Sequence, residues 1–201
     1  MTNRAEITGV VKETEKDHTF KGVDFYKAIV ECTITADGHT RYDNLNVIYK
    51  DVFADKVNVG QRLHCTGSVR NFYDKKRIAE HKASTMIYVY LDSLLSDANT
   101  DCNVVEMEGE IVSKPPELRE TRSKKNLCSF MLMTTLYGDK KAYIPVITWG
   151  DKAMETANCK VGDKVLVNGR LHERKYKKNI DGTNYLISVH EVCASDFKKI
   201  D

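Results

Sequence analysis

The sequence predicts an all-β chain built as two small five-stranded barrels in tandem. Three observations carry that prediction. The apolar runs are short, rich in Val, Ile, Thr and Tyr, and spaced by Gly, Asp, Asn and Lys, which is the chemistry of strands and tight turns. The landmarks of the first half recur in the same order in the second. The 201 residues give each copy the length of one small barrel domain.

The expected strands cover 5–14, 25–35, 40–49, 61–73 and 86–93, then 104–113, 127–137, 141–149, 163–176 and 184–193. Helical turns are expected at DVFADKV (51–57) and DKAMETA (151–157), each after the third strand of its set. The copies align at Gly9 with Gly109, Tyr49 with Trp149, and Gly60 with Gly162, an offset of 100 that becomes 102 at the third anchor. The boundary falls in the polar stretch SLLSDANTDCN (93–103), giving units 1–95 and 103–201 joined by a linker at 96–102. Five strands with a short helix between the third and fourth is the order of the OB-fold, a Greek-key barrel.

Composition narrows the function. Hydrophobic residues make up 41% and charged residues 30%, which fits a folded chain, and the net charge of +2 makes any basic surface a local one. The N-terminus MTNRAEITGVVKE has no apolar targeting segment, and no run approaches the ~18 apolar residues of a membrane span. A cytoplasmic, nucleoid-associated protein with no membrane partner is expected. Six cysteines lack any C-x-x-C pair, and four lie in strand-like runs, so free buried thiols are expected. Neither they nor the histidines have metal-ligand spacing. With no G-x-S-x-G and no P-loop, no enzyme, metal or cofactor is expected.

Strand alternation separates the faces. In YIPVITW the β-branched set Ile144, Val146 and Thr148 suits the interior, so Tyr143, Pro145, Ile147 and Trp149 point outward. In VLVNGRLHERKY, Arg170, His172, Arg174 and Tyr176 share one face, which must be open because unpaired buried charge is prohibitively costly. In the strand before them, Phe130 and Leu132 read as core, and Met131, Met133, Thr135 and Tyr137 as surface. Lys175 continues the basic run RKYKK (174–178). Arg119, Arg122, Lys124 and Lys125 lie in ELRETRSKKN (117–126), expected as the loop before that second strand. Trp149 alone reads as a packed residue. The shared face is what argues for rings and cations placed to stack bases and track phosphates.

The second half resembles the bacterial single-stranded DNA-binding proteins, in the tandem form of some Gram-positive bacteria and mobile elements. The resemblance rests on Gly109, PELR (116–119), FML (130–132), YIPVITWG (143–150), GDKVLVNGRLHERKY (162–176) and DG (181–182). It implies stacking aromatics at Tyr143, Trp149 and Tyr176, single-stranded DNA as the partner, roles in replication, recombination or repair, and a homo-oligomer formed through strand one. The first half resembles the family only in outline. Its weaker candidates are Tyr49, Arg70, Phe72, Tyr73, Lys75 and Lys76, with Asp43 standing where Tyr143 is matched. The family's acidic tail for recruiting enzymes is not expected, since SDFKKID follows the last strand directly. Two other readings remain open: an OB-fold adaptor acting through protein contacts, and an RNA binder.

Overall fold

In the computed structural model the described residues are 1–36, 38–96 and 99–200; the expected linker includes Asp97 and Ala98, which lie outside them. The first five strands are β1 (Asn3–Phe20), β2 (Val23–Ala36), β3 (His39–Lys50), β4 (Arg62–Tyr73) and β5 (Thr85–Leu94). The second five are β6 (Cys102–Glu120), β7 (Asn126–Thr135), β8 (Lys141–Trp149), β9 (Lys164–Ile180) and β10 (Thr183–Ile200). A 3-10 turn at Asp51–Lys56 and the helix α2 (Asp151–Ala157) follow the third strand of each set. The helix α1 (Lys76–Ala79), between β4 and β5, has no counterpart in the second set, where a two-residue Asp181–Gly182 turn joins β9 to β10.

Each set closes on itself. β1 pairs with β2 and β4, β2 with β3, and β3 runs parallel to β5, which pairs with β4. The second set repeats this circuit with β6 to β10. Closure needs strands to cross closely: a Cβ on Gly109 would lie 2.4 Å from the Met133 carbonyl oxygen, and one on Gly169 2.3 Å from that of Cys193.

The barrels are joined strand one to strand one. β1 and β6 pair antiparallel about Ala5 and Val105, with Asn3 opposite Met107 and Ile7 opposite Asn103. This gives a pseudo-twofold arrangement. Two asparagines finish the rungs where strand one leaves strand four. Asn3 exchanges two hydrogen bonds with the Val69 backbone at 2.8 and 2.9 Å, and Asn103 does the same with Leu171. Strand one of each barrel is thus paired inside one chain, so an expected dimer of two chains, with four OB units, does not form through these edges.

Three expectations about the strands are corrected. ELRE (117–120) is strand, not loop: β6 runs to Glu120 past an irregularity between Val112 and Glu117, and only 121–125 turn. SDFKKI belongs to β10, where Phe197 is buried edge-on to Phe130 at 5.9 Å. The third correction concerns register. Val47 and Ile48 pair with β5 as Val146 and Ile147 pair with β10, so the offset there is 99, not 100. A one-residue slip exchanges the faces. Trp149 is matched by Lys50 and Tyr143 by Asn44. Tyr49 matches Thr148, and both point into the core.

Candidate nucleic-acid interface

The outer face of β7 and β8 forms rows fixed by strand register. Met133 lies opposite Tyr143, Met131 opposite Pro145, Ser129 opposite Ile147, and Leu127 opposite Trp149. Tyr143 is 43% exposed and Trp149 40%, while the two methionines are half-buried. Ile147 points to this face but is 5% exposed, and Leu127 likewise 4%, so the end of the sheet beside the indole is closed rather than open as expected. The Trp149 side chain lies close to the Cys193 thiol. Tyr137, on the short turn before β8, is 97% exposed.

β9 divides into two parts. At its outer end, Arg174 and Tyr176 are exposed; Arg174 Cζ lies 5.5 Å from the Tyr176 ring centre and its Nε 3.3 Å from Glu191 Oε1. Lys175 reaches Glu173 at 3.3 Å. Nearer the barrel, the expected open row is taken up by the N-terminal barrel. Asp43, 2% exposed, accepts hydrogen bonds from Arg170, from His172 Nδ1 at 2.8 Å and from the Glu173 backbone at 3.0 Å. Burial would raise this carboxyl, but His172, the Glu173 N–H and Arg170 together hold it below the usual carboxylate range. Arg170 and His172 are thus half-buried partners of Asp43 rather than members of a wet row. The principle behind the expectation holds, since a buried charge is paired. The partner lies 127 residues away in sequence, where strand alternation does not reach.

The junction continues around Asp43. Asn44 Nδ2 donates to Glu173 Oε2 at 3.0 Å, and His190 Nε2 donates to the Asn44 carbonyl at 2.6 Å. On the other side of the pseudo-twofold axis, Asn71 Oδ1 accepts from the Tyr143 backbone at 2.8 Å. Tyr143 therefore stands at the seam between the barrels.

The β-hairpin arms differ in charge pairing. On the β1–β2 arm, Lys12, Lys16 and Lys27 pair with Glu31, Asp24 and Glu15. On the β6–β7 arm, Lys114 pairs with Glu117, but Arg119, Arg122, Lys124 and Lys125 are exposed and have no carboxylate partner among the described residues. Most of the unpaired positive charge of the two arms lies on the C-terminal one, leading to Trp149; on the other, Lys21 lies over the Phe20 ring.

The N-terminal candidates scatter. Tyr49 is 1% exposed and its hydroxyl bonds Thr14, so it is core and offers no platform. Arg70 lies over the Tyr90 ring at 3.8 Å. Phe72 and Tyr73 are exposed, as are Lys75 and Lys76 beside α1. The sequence reading missed Tyr88 and Tyr90, which alternate with buried Val89 and Leu91 in β5 and share the outer face with Arg70. Phe25, 6.4 Å from Tyr90, extends that face. The alternation in IYVYL carried the signal. Among the described residues, no cluster of His, Cys, Asp and Glu is suited to a metal ion, and no helix is long and apolar enough to cross a membrane.

This arrangement of a closed barrel, an outward ring face and a basic arm coincides with a family match. Residues 102–200 match the model of the single-strand binding protein family. The C-terminal half of the chain is thus similar to that family. The wild-type single-stranded DNA-binding protein of Thermus aquaticus has the same fold with a TM-score of 0.77 at 16% identity, over 100% of this chain and 93% of that one. A deletion variant of the Thermus protein gives 0.75 at 16% identity, over 99% and 94%. The fold likeness thus extends through the N-terminal barrel, which the family match does not reach. No curated protein matches the chain.

Proposed function

We propose that the chain binds single-stranded DNA without sequence preference, on the outer face of its C-terminal barrel, in support of replication, recombination or repair. Bases stack on Trp149, Tyr143 and Tyr176, with Tyr137, Met131 and Met133 widening the apolar floor. Arg119, Arg122, Lys124, Lys125 and Arg174 meet phosphates. Division into a binding unit at 103–201 and a divergent unit at 1–95 follows from this reading.

One observation supports it most: three rings more than a third exposed on one barrel face, beside an arm on which Arg119, Arg122, Lys124 and Lys125 make no ion pair among the described residues. An exposed ring surface of this kind offers no stability to a closed barrel, whereas stacking on rings is worth about 1–3 kcal/mol per base. The test is Trp149→Ala and Tyr176→Ala, each expected to weaken oligo-dT binding by about 1–3 kcal/mol while leaving folding stability within about 1 kcal/mol of wild type. Loss of about 3 kcal/mol of stability with affinity intact would instead make both rings packing residues.

A further inference from the structure

The cleft between the barrels, with a volume of about 410 Å³, is built from both halves of the chain. Its N-terminal wall is Ile78 of α1 with His81 and Lys82 of the segment after it; its C-terminal wall includes Pro145, Arg174 and Tyr176. Three of these, Pro145, Arg174 and Tyr176, belong to the ring face. The others have no role in it so far.

His81 departs from ordinary structure in two independent ways. Its backbone sits at φ +56°, the left-handed region that non-glycine residues enter at an energetic cost. Its ring stacks on Tyr185 of the other barrel, centroids 3.7 Å apart, yet its Nδ1 is buried without a hydrogen-bond partner among the described residues. A buried polar atom with an unmade bond opposes folding, so neither feature is explained by stability. The lining carries three cations, of which Lys82 pairs with the exposed Glu80 at 2.8 Å and Arg174 with Glu191 at 3.3 Å, while Lys178 is exposed. Cations and a ring edge-lined by aliphatic side chains together suit a nucleotide.

We propose that this cleft takes a nucleotide of the strand bound on the C-terminal face. The base packs against Tyr176, the aliphatic wall and the His81 side of the cleft, and the phosphate takes the place of the exposed Glu80 on Lys82. This rests on the single-strand binding reading above and adds to it a role for the N-terminal barrel, which completes its neighbour's site rather than carrying a separate one.

The experiment titrates oligo-dT of graded length against the wild-type chain, His81→Ala and Lys82→Ala, read by Trp149 emission, with thermal melts to verify that each variant is folded. Lys82 is exposed, so its variant carries little folding risk. Short oligonucleotides confined to the ring face are expected to bind all three alike. Beyond the length that enters the cleft, wild type gains about tenfold over each variant. One shared length dependence for all three proteins overturns the cleft and leaves the ring face standing; that is also the result if a peptide, not DNA, occupies the cleft. No quenching of wild type at any length overturns both.

Discussion

Replacing Asp43 with Ala should make the protein less stable and its DNA binding more salt-sensitive at the same time. The carboxylate is 2% exposed and accepts from Arg170, His172 and the Glu173 backbone. Removing one partner of a buried ion pair costs about 3–5 kcal/mol. Arg170 and His172 keep 22% and 26% side-chain exposure, so water recovers part of that, and the expected loss is about 2–3 kcal/mol. The assay is urea unfolding at neutral pH, followed by Trp149 emission. Arg170, once released beside the ring face, adds a cation to the strand's path, and log K against log salt should steepen by about 0.7 for that phosphate. The companion variant Arg170→Ala separates the two readings. The sequence alone expects it to flatten the salt dependence. The paired guanidinium instead implies a stability loss with little change of slope. If Asp43→Ala left stability within about 0.5 kcal/mol of wild type, or Arg170→Ala flattened the slope without destabilising, the buried cluster would not be holding the barrels together.

Tyr49→Ala should cost about 3–5 kcal/mol of stability and leave DNA affinity unchanged, as for a large buried ring; a binding defect in a fully folded variant would restore it as a platform. Combined Arg119→Ala, Lys124→Ala and Lys125→Ala should flatten the salt slope by about 2, at 0.7 per phosphate, whereas Lys12→Ala with Lys16→Ala should leave it unaltered because those lysines are paired. Equal effects from both arms would remove the basis for placing DNA on the C-terminal side. Burial pushes the His190 imidazole below its ordinary 6.5, against the opposing bond to the Asn44 carbonyl and the charges of Glu173 and Asp43. The unfolded chain therefore takes up this proton first. Its contribution to stability is complete above pH 6.5 and declines as pH falls from there through the folded value. His190→Gln should erase that part of the pH–stability profile, and an unchanged profile would place the acid sensitivity elsewhere.

Much of the fold was written in local patterns. Alternation in YIPVITW identified Trp149 and Tyr143 as outward, because a strand shows its two faces every second residue. The recurrence of Gly9 and Gly109 followed the pseudo-twofold axis. The repeat was harder to read at β3 and β8. Matching aromatic to aromatic, Tyr49 to Trp149, is natural by side-chain type but wrong by one residue, and that slip turned a core tyrosine into a candidate platform. The fate of Arg170 and His172 could not be read locally at all. Both look free along β9, and only the packing of one barrel on the other brings Asp43 to them. His81 was invisible for a similar reason: its strain and its unmade bond are tertiary properties, and α1 had no sequence signal strong enough to interrupt the strand pattern around it.

The most direct measurement is Trp149 emission of the wild-type chain titrated with oligo-dT, at low and at high salt. Trp149 is the chain's single tryptophan, so the signal reports the ring face and nothing else. Saturable quenching at low salt that weakens steeply as salt rises is the expected result. An emission spectrum unmoved by DNA at micromolar protein, in a chain that melts cooperatively, would contradict a base-stacking surface on the C-terminal barrel.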